Sequence, residues 1–232
     1  MPEQTEHDYG FFGSDRIELF ATIVLAIATI LTAWSAFQAG KWSGQQSINF
    51  SEASAARTES TRADTRGGQL SQIDVAMFID WVTAFNEEVK DGSIAFEPGD
   101  EYVPTPGTTS GFLYNRFREE FVPAVNAWIA TQPLTNPDAP SSPFAMSEYV
   151  VADRLEAVRL SQVADSKSLA AREANQNGDN YVLTMVLFAS VLFFAGVSSK
   201  LILRRNRMIA LGFGILILVS GIIIESTLPI LV

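Results

Sequence analysis

The chain has 232 residues, with 16 Lys and Arg against 26 Asp and Glu, a net charge of −10, one His and no Cys. That acidic balance excludes a nucleic-acid partner, because phosphate binding needs a surplus of cations to release counterions. The lack of Cys and the single His7 exclude disulfides, thiolate nucleophiles and a His-based zinc site within one chain, and no cofactor or metal is expected.

The hydrophobic content of 47% is ordinary for a globular protein, but it is gathered into blocks near the two ends with polar sequence between them. A bilayer core of about 30 Å needs roughly 20 apolar residues in a helix. In chain order, residues 1–16 form a polar tail, read as cytoplasmic. Residues 17–37, IELFATIVLAIATILTAWSAF, form a first transmembrane helix whose only charge is Glu18 at its start. Acidic residues (Glu3, Glu6, Asp8, Asp15) dominate the stretch before it, and the apolar run exceeds the usual h-region, so a retained span is expected rather than a cleaved signal peptide. Residues 181–203 and 208–224 give a second and a third span, joined by a short loop at 204–207. Lys200, Arg204, Arg205 and Arg207 crowd that turn, and cations in short loops stay cytoplasmic. The long segment 38–180 is then extracytoplasmic, as is the tail 225–232. Glu225 falls at the outer interface, and the Pro229 that follows directs TLPILV along the membrane surface or against the helix emerging from the first span.

The first span is expected to continue outward as a stalk, since no Pro occurs from Gln38 to Arg66. Gly67-Gly68 then predicts a hinge or break, because Gly disfavours a helix interior by about 1 kcal/mol relative to Ala. Beyond it, Leu70, Ile73, Met77, Trp81, Phe85 and Val89 recur at helical spacing, and Asp91-Gly92 closes that helix. FEPGDEYVPTPGTTSG reads as an extended loop. Leu113, Phe117, Phe121 and Trp128 form another helical stripe that Pro123 should kink or restart. After the loop QPLTNPDAPSSP, the chain turns helical again from Met146 into the second span. Phe78, Trp81, Phe85, Phe112, Phe117, Phe121, Trp128, Phe144 and Tyr149 supply the core of a small helical bundle head. The expected fold is therefore an all-α membrane protein, with three transmembrane helices and a long antiparallel helical stalk bearing that head between spans 1 and 2.

Two rows of small residues mark the stalk. Ser43, Ser47, Ser51, Ser54, Thr58, Thr61 and Thr65 follow one another at spacings of three and four. Ala157, Ser161, Ala164, Ser168, Ala171, Asn175 and Gly178 do the same on the returning helix, as a coiled-coil-like seam without large residues. Small seams let backbones approach closely, so the two rows are expected to be each other's partners, pairing Ser47 with Asn175, Ser54 with Ser168, Thr58 with Ala164 and Thr65 with Ala157. The rival reading of the hydroxyl row is the lining of an aqueous path in an oligomer.

Chemistry is scarce. The acidic residues Glu87, Glu88, Asp91, Glu97, Asp100 and Glu101 lack the ligand spacing of a calcium loop and read as a solvated acidic loop. No His can serve a Ser as base, and there is no G-x-S-x-G turn or phosphate-cradling Gly loop. No catalytic residue is assigned, and a non-enzymatic protein is expected. The stretches TAWSAFQAGKWSGQQ, AARTESTRADTR and ANQNGDNYVLTMVLFASVLFFAG resemble an uncharacterised family of bacterial inner-membrane proteins with three spans and a helical insertion after the first. The resemblance implies a bacterial cytoplasmic membrane and says nothing about activity. The expected role is an interaction or assembly module that meets membrane lipid and docks a second copy or another envelope protein. The alternative is an oligomeric channel or transporter accessory subunit.

Overall fold

The computed structural model describes residues 11–97 and 102–232, with the side chains of 11–15 left aside. The sequence-based readings of His7, of the acidic tail before residue 11, and of Asp100 and Glu101 fall outside the described residues. The described chain is all helical, without a strand: α1 (Phe11–Lys90), α2 (Thr109–Tyr114), α3 (Val122–Ala130), a 3-10 turn (Pro143–Ala145), α4 (Ala152–Lys200) and α5 (Arg204–Ser226). Among the described residues, three helices are long and apolar enough to cross a membrane: α1, α4 and α5. The chain divides into two compact units, one of Met1–Ala53 with Asp165–Val232 and one of Ser54–Ala164.

In the first unit, Ala21, Val24 and Ala28 of α1 meet Phe188, Val191 and Ala195 of α4 and Leu211 and Leu218 of α5. Small residues on α1 let the larger side chains of α4 and α5 fill the space between three closely spaced helices. The outward faces stay apolar, with Leu19, Phe20, Ile30, Phe193, Leu216 and Ile223 all exposed. Such a surface suits hydrocarbon and would be costly in water. The link between α4 and α5 is Leu201–Leu203 rather than the expected 204–207. Arg204, Arg205 and Arg207 instead form the first turn of α5, where the charged side chains can reach past the helix end without breaking it.

In the second unit, the aromatic core is built from Phe78, Trp81 and Phe85 of α1, Ile94 and Tyr102 of the following loop, Tyr114 of α2, Phe117, Phe121, and Ala124, Val125 and Ile129 of α3. Its rings meet mostly edge to face, as Trp81 does with Tyr102 and Phe78 with Trp128, the arrangement that aromatic quadrupoles favour. Pro123 sits in the first turn of α3, so the chain restarts there. The returning helix begins at Ala152 rather than near Met146.

Three expectations fail in this unit. Gly67-Gly68 makes no break, since α1 runs unbroken to Lys90. A Cβ on Gly67 would lie 2.7 Å from Arg154 Cγ and 3.2 Å from its backbone N, so this glycine permits close approach to the start of α4 instead of a hinge. The helix stops where expected, at Asp91-Gly92, with Gly92 at φ +79. Phe112 is 54% exposed, outside the core, with the Arg116 guanidinium over its ring. Ile73 is likewise exposed. At about 100° per residue it lies well over 100° around the helix from Phe78 and Phe85, off the buried face.

Candidate interaction surface

The side of α1 that is buried within the chain is an alanine row. Ala53, Ala56 and Ala63 are buried, with Ser60 half-buried between them. All seven residues of the expected hydroxyl seam, Ser43, Ser47, Ser51, Ser54, Thr58, Thr61 and Thr65, are exposed. The expectation that they pack against α4 is therefore corrected. Two interleaved rows of small residues share the same spacing, and alanine is the one buried because it brings no polar group to satisfy. The exposed hydroxyls turn back on their own helix: Ser47 donates to Ser43 O at 3.0 Å, Thr58 to Ser54 O at 3.0 Å, Thr61 to Arg57 O at 3.0 Å and Thr65 to Thr61 O at 2.8 Å.

On α4, Ala157, Ala164, Ala171 and Gly178 are buried and Ser168 is half-buried, while Ser161 and Asn175 are exposed and Ala174 is buried instead. The register differs as well. In the second unit, Ala157 O accepts from Ser60 Oγ at 2.7 Å, in place of a partnership with Thr65, and Arg66 pairs with Asp153 at 3.0 Å. In the first unit, Gly178 faces Trp42, Lys167 pairs with Glu52 at 2.6 Å, and Asn175 donates to Asp179 rather than meeting Ser47. Lys200, Arg204 and Arg205 are exposed at the α4–α5 turn, and Arg207 donates through Nε to Ser198 O at 3.2 Å.

The exposed row of α1 continues toward the span through Gly44 and Gly40, and a Cβ at either would meet nothing within 4 Å. Beside this face, Gln38 is 1% exposed and grips the backbone of Leu231 twice, donating to its O at 3.2 Å and accepting from its N at 3.0 Å. Trp42 Nε1 and the Tyr181 hydroxyl both donate to Pro229 O at 3.2 Å. The segment after α5 thus lies against α1, tied through its main chain. About one turn earlier on α1, Ser35 Oγ donates to Glu225 Oε1 at 2.7 Å, and Thr184 Oγ1 sits 3.2 Å from Ser35 Oγ.

Sequence reasoning missed two polar anchors in the head. Asp74 is 1% exposed and takes a bidentate pair of hydrogen bonds from Arg118, at 3.0 and 2.8 Å, with a third from the Tyr149 hydroxyl at 3.1 Å. Its position one helical turn from both Leu70 and Phe78 on the apolar face was the available signal. Hydrogen bonding to Asp74 holds the Arg118 guanidinium above its ordinary value, outweighing its partial burial. Glu88, read as part of a solvated acidic loop, accepts from the backbone N–H of Thr109 at 2.6 Å and of Ser110 at 3.2 Å, anchoring the start of α2. Partial desolvation pushes its carboxyl up, but the bonds from Ser110 and Thr109 outweigh it and hold the group below the usual range. Asp91 accepts from Ser93 N at 2.8 Å, and Glu97 is exposed.

No family model, curated protein or solved structure matches this chain.

Proposed function

We propose that the chain is a non-enzymatic, multi-pass protein of a bacterial cytoplasmic membrane that works as an assembly module. In this reading, α1, α4 and α5 supply three spans, residues 38–180 form an extracytoplasmic stalk and head, and the α4–α5 turn is cytoplasmic. The observation that carries it is the face of α1 bearing Gly40, Ser43, Gly44, Ser47 and Ser51. Every one of these residues is exposed, and neither glycine has an intrachain neighbour that excludes a side chain. Small residues spaced by four allow close helix–helix approach, and the bond from Ser47 to Ser43 O satisfies that hydroxyl's donor within its own helix. The partner proposed for this face is the same face of a second copy.

A single Ser47→Cys variant in native membranes should cross-link between chains on mild oxidation, and Gly44→Leu added to it should abolish the dimer. A Ser47→Cys chain that stays monomeric at every oxidant concentration would remove the basis for self-assembly through α1. The wholly hydroxyl character of the exposed row favours a second reading, an oligomeric channel or transporter accessory subunit. Rapid reaction of the same Cys with a membrane-impermeant thiol reagent in the assembled state would select it over dry packing.

A further inference from the structure

The turn between α4 and α5 sets an exposed apolar tip between exposed cations. Lys200 closes α4, Leu201–Leu203 link the two helices, and Arg204 and Arg205 open α5. Ile202 is 97% exposed and Leu203 64%. Among the described residues, Lys200, Arg204 and Arg205 enter no ion pair. Arg207, the fourth cation, donates to Ser198 O at 3.2 Å and so holds the first turn of α5 against the end of α4. No acid shares that first turn, although the positive end of a helix favours one. Orientation in a membrane calls for cations in a short loop, but it does not require that they flank an exposed apolar tip.

We propose that this turn binds an anionic phospholipid, with Leu201–Leu203 among its acyl chains and Lys200, Arg204 and Arg205 around its phosphate. An isoleucine side chain favours leaving water, whereas an ammonium or guanidinium group is costly in hydrocarbon. The turn meets both demands only at the boundary between headgroups and acyl chains. Long Lys and Arg side chains reach that boundary from a helix end. The anions at that level are lipid phosphates. A zwitterionic headgroup carries its own cation beside the phosphate and leaves no charge over, whereas a net negative headgroup such as phosphatidylglycerol compensates the three cations. Each Lys or Arg near an anionic membrane surface strengthens binding about fivefold. The site presupposes that α1, α4 and α5 span a membrane, as proposed above, and is independent of the α1 face and of the side on which the turn lies.

The test is native mass spectrometry of the full chain in detergent micelles, titrated with phosphatidylglycerol or with phosphatidylcholine of the same acyl chains. Phosphatidylglycerol should bind about tenfold more tightly or better. Arg205→Gln, at an exposed position, should weaken it about fivefold, and Arg204→Gln with Arg205→Gln about thirtyfold, with phosphatidylcholine unaffected. Ile202→Ser keeps every charge and should still weaken it about tenfold. Glycerol phosphate, the headgroup without acyl chains, should not compete at the concentrations at which the lipid binds. Equal affinity for the two lipids, unchanged affinity in Arg205→Gln, or effective competition by glycerol phosphate would overturn the assignment, the last in favour of a free phosphate. Binding that appears only after Glu3→Gln, Glu6→Gln and Asp8→Asn would overturn it too, in favour of the chain's own acidic stretch. A chain that stays in solution without detergent would sink the spanning reading itself. One that needs detergent yet does not distinguish the two lipids would sink the lipid site alone.

Discussion

Removing the Asp74 carboxylate should unlock the head, and the geometry sets the size of the effect. Asp74 has a side chain 2% exposed and holds Arg118, 21% exposed, by two parallel hydrogen bonds while also accepting from Tyr149. Breaking a buried pair by deleting one partner costs about 3–5 kcal/mol, because the remaining charge stays desolvated. Arg118 has an escape, since it also pairs with the half-exposed Glu120 at 2.5 Å and its guanidinium can lean toward solvent. That escape brings the cost to the bottom of the range or just below it, and Asp74→Ala should cost about 2–3 kcal/mol. Asp74→Asn keeps the volume and one acceptor and should cost about 1–2 kcal/mol, while Tyr149→Phe, losing one bond to a charged group, should cost about 1.5 kcal/mol. Replacing both charges, as in Asp74→Leu with Arg118→Met, should recover most of the loss, because apolar substitutes of similar volume remove the desolvation penalty together with the attraction. The assay is denaturant unfolding of the purified chain followed by tryptophan fluorescence, with the double-mutant cycle giving the coupling. A loss below about 1 kcal/mol for Asp74→Ala, or simple additivity of the two single losses, would refute the claim that this pair organises the head.

Other perturbations separate local causes. A reporter fused after Asp138 should be active only outside the cytoplasm and one at Asn206 only inside it; the reverse pattern would overturn the orientation drawn from Lys200, Arg204, Arg205 and Arg207. Gly68→Ala should stabilise by about 1 kcal/mol through helix propensity, because nothing lies within 4 Å of the new methyl. Gly67→Ala should instead destabilise by about 1–2 kcal/mol, since its methyl meets Arg154 at 2.7 Å; thermal melts that move both variants the same way would contradict the close approach. Glu88 has a folded pKa below its ordinary value of 4.5, so its contribution is complete above that value and lost as pH falls through the folded one. The melting-temperature difference between the parent and Glu88→Gln should therefore shrink on acidification below about pH 4.5, and a gap that widens there would contradict this sign. Ala63→Leu should cost about 1–3 kcal/mol by overpacking, whereas Thr65→Leu should change the stability of the monomer by no more than about 0.5 kcal/mol. Equal losses would mean that both rows are packed.

The three apolar helices and the aromatic head were legible in the sequence because each rests on a composition that one physical requirement dictates. A run of apolar residues as long as a bilayer is thick has few other uses, and nine large aromatics gathered in one polar segment must be taken out of water. Eight of those nine rings are buried or packed against the core, and the exception, Phe112, sits on a six-residue helix too short for periodicity to fix its face. The α1 seam was not legible for a related reason. The helix carries two rows of small residues with the same three-and-four spacing, and periodicity gives the shape of a seam without saying which row is inside. What separates them is the desolvation of a hydroxyl, a difference that alanine avoids and that serine and threonine offset by bonding to their own backbone. Gly67 was misread because a glycine in a helix has two uses, breaking it or letting another backbone come close, and only the position of Arg154 decides between them. Asp74 and Glu88 escaped because their partners lie far away along the chain. A buried carboxylate then looks in sequence like any solvated acid. The residues that pattern alone placed correctly are those whose environment is set by their own segment. Those it misplaced are set by a second segment, and for the exposed face of α1 that second segment is proposed to belong to another copy of the chain.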